Sequence, residues 1–189
     1  MLVVGINGAH GPSRTVRQLL DEAMKAAKTE SNKLGIPCKT EIVHLGPIVA
    51  NFYDGFQTKP PQEISKCLRT IKNAEALIFA TPIYWFSTSA LTKAFVDWLT
   101  LLETKDFALE GKVAGVIAHG HEDGGNQAAM AIIAPLLHMG LMIPPYCAFF
   151  KNRYMARHSE GQWQLKDHRL VGKNVVRLAK QVLSVDSWG

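Results

Sequence analysis

Residues 80–91 read Ala-Thr-Pro-Ile-Tyr-Trp-Phe-Ser-Thr-Ser-Ala-Leu, and they follow an apolar run of strand length. Pro82 has no N–H and cannot continue a central strand, so we expect the strand to end at Thr81. The Ser/Thr positions that follow are typical of a helix start. A strand that leads into a helix at its carboxyl end is where open α/β sheets bind ligands. Three aromatic residues in that loop favour a flat ring system as the ligand.

Segments typical of strands and helices alternate on both sides of this stretch. The predicted strands are residues 2–6, 39–45, 75–81, 111–119 and 143–150. The predicted helices are residues 15–34, 61–73, 89–102, 126–139 and 169–185. This alternation predicts an α/β domain with three layers, in which a parallel five-stranded sheet lies between helices. We expect residues 1–189 to form one domain, with a polar arm or hairpin at about 151–168 before the last helix.

The composition is typical of a globular protein, with 47% apolar and 20% charged residues among 189. The net charge of +5 indicates a solvated basic surface or, alternatively, attraction of anionic ligands such as phosphates. The sequence has no basic run of five residues and no nucleic-acid-binding motif, so we expect no nucleic-acid partner. The apolar runs are too short for a membrane span. Cys38, Cys67 and Cys147 lie far apart, which indicates reduced thiols in a cytoplasmic protein and no metal site.

The loop after the first predicted strand, residues 7–15, reads Asn-Gly-Ala-His-Gly-Pro-Ser-Arg-Thr. Its backbone N–H groups, hydroxyls and guanidinium lie where a helix begins, and this pattern indicates a phosphate site. The alternative is a glycine-rich turn in which Ser13 only caps the helix. The sequence lacks a Gly-Lys-Ser/Thr loop, and Gly5, Gly8 and Gly11 do not have the spacing of a dinucleotide-binding motif.

The loop after the fourth predicted strand, residues 119–126, reads His-Gly-His-Glu-Asp-Gly-Gly-Asn. Histidines and carboxylates are common metal ligands, so a metal site is one reading of this loop. We favour another, in which the loop donates backbone N–H groups and a histidine N–H to the electron-rich edge of a ring.

The aromatic residues near the second loop have different expected roles. We expect Tyr84 and Trp85 to line or stack on a bound ring. For Phe86 and Trp98 we favour packing in the core or at a subunit interface. We find no convincing set of nucleophile, base and orienting group, which argues against a hydrolase.

Residues 73–86 read Asn-Ala-Glu-Ala-Leu-Ile-Phe-Ala-Thr-Pro-Ile-Tyr-Trp-Phe, and residues 89–98 read Ser-Ala-Leu-Thr-Lys-Ala-Phe-Val-Asp-Trp. This strand, Thr-Pro-x-Tyr loop and Lys-x-Phe-x-Asp helix resemble those of the flavodoxin-like NAD(P)H-dependent FMN reductases. The resemblance extends from Met1 to about Phe150. It is nearest to the branch that includes iron–sulfur flavoproteins and multimeric quinone-reducing flavodoxins, although the cluster cysteines of that branch are absent from residues 46–61.

The resemblance implies a flavodoxin-like three-layer sandwich with a sheet of order 2-1-3-4-5, assembled as a homodimer or homotetramer. It implies FMN as cofactor and NAD(P)H as electron donor. The residues implied for FMN are Asn7, His10, Ser13, Arg14 and Thr15 at the phosphate, Pro82, Ile83, Tyr84, Trp85 and Phe86 at the isoalloxazine ring, and His119, Gly120, His121, Gly124 and Gly125 at the pyrimidine side. The first loop departs from the family's usual Gly-Ser-x-Arg, and Ser13 and Arg14 are the candidates to replace the missing hydroxyl and guanidinium.

The expected function is therefore that of an FMN-dependent oxidoreductase. NAD(P)H delivers hydride to the flavin, and the electrons pass to a small-molecule acceptor such as a quinone or free flavin. No catalytic acid or base is required for this chemistry. Two alternatives stay open, namely a flavodoxin-like electron carrier and a flavin-free binding or scaffold module.

Overall fold

The computed structural model describes residues 1–11, 14–46, 52–57, 59–121, 123–152 and 167–185. Its strands are β1 (Leu2–Asn7), β2 (Lys39–His44), β3 (Ala76–Tyr84), β4 (Ser87–Thr88), β5 (Val113–Gly120) and β6 (Ala148–Asn152). Its helices are α1 (Arg14–Lys33), α2 (Gln62–Lys72), α3 (Ala90–Trp98), α4 (Thr100–Asp106), α5 (Gly125–His138) and α6 (Asp167–Val182).

Five parallel strands form the central sheet in the order β2-β1-β3-β5-β6, and β4 pairs antiparallel with the end of β3. Counted among the parallel strands alone, this is the order 2-1-3-4-5, so the predicted flavodoxin-like topology is confirmed. The middle strand β3 is buried throughout Ala76–Ala80, because a parallel sheet of this kind is covered by helices on both faces.

Helices on the two faces of the sheet complete the three layers. On one face α1 and α6 contribute Val16 and Val175 to a buried cluster with the strands. On the other face α2 and α3 contribute Ile71 and Phe95 to a second cluster. Trp98 is fully buried in this second cluster, which confirms the core role favoured for it.

The strand β3 differs from its prediction at the carboxyl end. It continues through Pro82 to Tyr84, so the prediction that Pro82 ends the strand is wrong. The carbonyl of Ala80 accepts a hydrogen bond from Gly8 N–H (2.7 Å) and therefore faces β1. Alternate residues of a strand direct their backbone groups to the same side, so Pro82 also faces that side, where β1 has already ended. The missing N–H of Pro82 therefore removes no hydrogen bond with β1.

Two other predicted boundaries are wrong. The predicted helix 89–102 is divided into α3 and α4 at Leu99, whose N–H bonds to the carbonyl of Val96 three residues earlier (3.1 Å). The fifth parallel strand begins at Ala148 rather than at residue 143. Pro144 and Pro145 offer no N–H to a ladder, which explains the late start. Residues 153–166 lie outside the described residues, so the arm predicted at 151–168 stays a prediction.

Candidate functional site

Three loops lie side by side at the carboxyl edge of the sheet. The strand register places Asn7 at the end of β1 beside Ala80, and Pro82 in β3 beside His119 near the end of β5. The loops that follow β1, β3 and β5 are therefore neighbours, as expected for the ligand edge of an open α/β sheet. The sites predicted at residues 7–15, 82–86 and 119–125 belong to these three loops.

The second loop is a β-hairpin with an aromatic two-residue turn. Tyr84 pairs with Ser87, and the turn residues Trp85 and Phe86 have φ angles of +48° and +62°. Positive φ at both turn positions is the feature of type I′ turns, which usually contain Asn-Gly. A left-handed conformation costs about 1–2 kcal/mol for a residue with a side chain. Backbone strain of this kind is characteristic of functional sites.

The rings of this hairpin are exposed. Trp85 is 96% accessible, and Tyr84 and Phe86 are 56% and 55% accessible. The expectation for Phe86 is therefore wrong as to the core, because its side chain is exposed in the turn, while packing at a subunit interface stays a prediction. Three adjacent exposed aromatic side chains are typical of a binding surface.

Two glycines allow the third loop to approach the hairpin closely. A Cβ at Gly120 would lie 2.8 Å from Cβ of Ile83, and a Cβ at Gly124 would lie 2.5 Å from Cα of Phe86. Gly124 also has a φ of +96°, which favours glycine. The predicted glycines at these positions therefore support the hairpin through close packing of backbone.

An open cleft of about 480 Å³ lies between the hairpin and the third loop. Its lining residues are Ile83, Tyr84, Trp85, Phe86, His121 and Asp123. Its volume lies in the range of about 300–1,000 Å³ that is usual for small-molecule sites. The structure thus brings four of the predicted ring-site residues and His121 together around one space.

A cluster of buried hydroxyl groups lies beneath the hairpin, and sequence analysis missed it. Its members Thr81, Thr88, Ser89 and Thr92 are at most 6% exposed. The hydroxyls of Thr81 and Thr88 are 2.7 Å apart, and those of Ser89 and Thr92 are 3.0 Å apart. Ser89 caps α3 by accepting a hydrogen bond from Thr92 N–H (3.2 Å), which confirms the predicted helix start.

The first loop is fastened to this cluster at Gly8. The carbonyl of Gly8 accepts a hydrogen bond from the Ser89 hydroxyl (2.7 Å), and a Cβ at Gly8 would overlap the hydroxyl of Thr92. On its other side the Asn7 side chain accepts from Ala9 N–H (3.2 Å) and lies 3.0 Å from Nδ1 of His44. Asn7 therefore links the start of the first loop to the end of β2.

Electrostatics define the His44 contact. Burial lowers the pKa of His44, and the nearby positive charge of Arg17 lowers it further. A neutral imidazole can accept the amide proton of Asn7 at Nδ1. This pairing of residues 37 positions apart leaves no local sequence signal.

The outer part of the first loop carries the predicted phosphate ligands. His10, Arg14 and Thr15 are exposed, and Gly11 has a φ of +70°. Ser13 lies outside the described residues, so its predicted role stays a prediction. Arg14 is the first residue of α1, where the positive end of the helix favours anions.

The Nδ1–H group of His119 bonds within the sheet, whereas the sequence suggested that a histidine N–H of this loop is donated to a ligand ring. Its Nδ1 lies 2.9 Å from the carbonyl oxygen of Lys151, so Nδ1–H is the donor. Burial is the main cause that lowers the pKa of His119, and the neutral ring keeps Nε2 as an acceptor.

Two structural observations concern a metal site and a membrane span. Across the residues that the structure describes, no three His, Cys, Asp or Glu side chains are grouped so that they could hold a metal ion. In the same part of the chain, no helix is both long enough and apolar enough to span a membrane.

Comparison with known proteins supports a flavin-related family. Over 164 residues the chain is 28% identical to the 8-demethyl-8-aminoriboflavin-5'-phosphate synthase of Streptomyces davaonensis, covering 79% of this chain and 62% of that one. Over 134 residues it is 29% identical to an iron–sulfur flavoprotein of Methanocaldococcus jannaschii, covering 67% and 66%. The chain thus spans less than two thirds of the length of either relative.

A solved structure and a family profile give the fold and the family. The structure of RosB with bound 8-demethyl-8-formylriboflavin-5'-phosphate matches with a TM-score of 0.81 at 21% identity, covering 99% of this chain and 82% of that one. The profile of the NADPH-dependent FMN reductases matches residues 1–155. The chain therefore belongs to the NADPH-dependent FMN reductase family, whose members are oxidoreductases that use FMN with NAD(P)H, and the resemblance seen in its sequence is confirmed.

Proposed function

We propose that this chain is an FMN-dependent oxidoreductase that takes electrons from NAD(P)H and passes them to a quinone, free flavin or another small acceptor. The observation that carries the proposal is the exposed Trp85–Phe86 turn, held against Gly124 beside an open cleft. When bound, FMN supplies the hydride acceptor and the electron carrier.

The cleft suits the ring system of FMN in size and chemistry. We place the isoalloxazine against residues 82–86, where three aromatic side chains offer stacking surface. We place its pyrimidine edge at residues 119–125, because His121 and Asp123 line the cleft and an imidazole can both donate and accept hydrogen bonds. A flavin pyrimidine edge contains both acceptors and an N–H donor, so it can be bonded by both kinds of group.

The first loop suits the phosphate of FMN. The loop is followed in the chain by α1, which begins at Arg14, and the positive end of a helix favours a dianion. The exposed side chains of Arg14 and Thr15 supply a positive charge and a hydroxyl at this end of the helix. These groups support a role in phosphate binding for Arg14, as the replacement for the family's usual arginine.

We further propose that the chain forms a homodimer or homotetramer and acts in the cytoplasm. Exposed Phe52 and Phe56, at 74% and 90% accessibility, support association, because exposed apolar rings commonly mark protein interfaces. The thiols of Cys38, Cys67 and Cys147 are free, which supports a reducing compartment. Light scattering coupled to gel filtration measures the assembly, and a monomer at all concentrations would contradict this part of the proposal.

The decisive assay for the proposed reaction is NAD(P)H oxidation by the chain loaded with FMN. We expect steady oxidation of NADH or NADPH when a quinone or excess flavin is present, and none in the absence of protein. FMN binding without oxidation would favour the electron-carrier alternative. Failure to bind FMN would favour the flavin-free binding or scaffold module.

A further inference from the structure

Ser89 is the residue at which the first loop, the hairpin and α3 meet. Its hydroxyl donates to the carbonyl of Gly8 in the first loop (2.7 Å) and accepts from the N–H of Thr92 in α3 (3.2 Å). Its own N–H donates to the hydroxyl of Thr81, in β3 before Pro82 (3.1 Å). Ser89 is 3% exposed, so water does not compete freely for these bonds.

Gly8 has little freedom to move once this bond is made. Its N–H is bound to the carbonyl of Ala80 (2.7 Å), its C=O is bound to Ser89, and its α-carbon faces the hydroxyl of Thr92 with no room for a Cβ. The position of Gly8 fixes where the first loop leaves β1. It therefore sets the position of the first loop relative to the hairpin.

We infer that Ser89 is a positioning residue that gives the site its selectivity for phosphorylated flavin. This inference rests on the proposed function, in which the hairpin takes the ring and the first loop takes the phosphate. FMN must contact both loops at once, whereas riboflavin lacks the phosphate and depends on the hairpin and the third loop. Loss of the Ser89 hydroxyl leaves the buried carbonyl of Gly8 without its donor and loosens the first loop relative to the hairpin.

The test compares the affinities of FMN and riboflavin for wild-type chain, Ser89→Ala and Ser89→Gly, each by flavin fluorescence titration. Both variants should lower the preference for FMN over riboflavin by about three- to tenfold, the range given by loss of one buried hydrogen bond. Glycine is a much better helix N-cap than alanine, so Ser89→Gly keeps the folded state if Ser89→Ala destabilises it. Ser31→Ala is the matched control, because the hydroxyl of Ser31 is also buried and donates to a backbone carbonyl, that of Ile36 (2.5 Å), but it lies near the C-terminal end of α1 and should leave the preference unchanged.

A role in stability alone would weaken FMN and riboflavin binding by the same factor, and that result would overturn the inference. A wild-type chain that binds the two flavins equally would overturn it as well. A wild-type chain that binds neither flavin would overturn the proposed function itself and this inference with it. The first two results leave the proposed function standing.

Discussion

Substitution of Gly124 by alanine tests whether the third loop holds the aromatic hairpin in place. An alanine at a φ of +96° costs about 1–2 kcal/mol in the backbone. Its Cβ would also lie 2.5 Å from Cα of Phe86, and overpacking of this kind adds about 1–3 kcal/mol. We therefore expect the free energy of unfolding to fall by about 2–5 kcal/mol. The displaced hairpin should weaken FMN binding about tenfold, equivalent to about 1.4 kcal/mol.

Gly35→Ala is the matched control for this experiment. Gly35 has a φ of +71°, so alanine carries a similar backbone penalty, but a Cβ there meets no atom within 4 Å. We expect Gly35→Ala to cost only about 1–2 kcal/mol and to leave FMN affinity unchanged. Urea unfolding followed by circular dichroism gives the stabilities, and flavin fluorescence gives the affinities. Equal effects of the two substitutions on both quantities would refute the reasoning.

Three further predictions concern the turn, the phosphate loop and the α1–α6 interface. Trp85→Gly should raise the free energy of unfolding by about 0.5–1 kcal/mol, because it relieves about 1–2 kcal/mol of left-handed strain and adds a cost of about 0.5–1 kcal/mol in glycine conformational entropy. The same substitution should weaken FMN binding about tenfold, and unchanged binding would exclude Trp85 from the site. Arg14→Ala should weaken FMN binding by about tenfold or more and leave riboflavin binding unchanged, whereas Lys25→Ala, at an exposed position farther along the same helix, should alter neither. Hydrogen bonds from His168 and the neighbouring arginine lower the pKa of Glu22 from 4.5 to about 2. The resulting stabilisation, about 1 kcal/mol after solvent screening, is present above pH 4.5 and lost as the pH falls towards 2; urea unfolding of Glu22→Gln should lack this pH dependence.

Local patterns were sufficient to predict a parallel sheet between helices and the helix start at Ser89, whereas the strand order came from the resemblance to the FMN reductases. Alternation of strand and helix leaves few topologies for a parallel sheet, and a Ser before a helical segment has a direct physical role as a cap. The termination at Pro82 could not be judged in the same way. Whether a proline interrupts a strand depends on where its neighbour β1 ends, and that is a property of the assembled sheet.

The hydrogen bonds that hold the loops of the site in place could not be predicted from local sequence either. Asn7 and His44 are bonded across 37 positions, and the Ser89 hydroxyl reaches Gly8 across 81. The four hydroxyls of the cluster are ordinary residues for a turn and a helix start, and only the fold brings them together. A Ser-x-x-Thr pair at residues 89 and 92, next to another Ser/Thr pair, was the one signal that could have indicated the cluster.

A titration of the purified chain with FMN tests the central claim most directly. We expect the flavin fluorescence to be quenched to a saturating end point at one FMN per chain, with flavin absorption bands that stay with the protein through gel filtration. A colourless protein after gel filtration, together with unquenched FMN fluorescence, would contradict a flavin site at the carboxyl edge of this sheet.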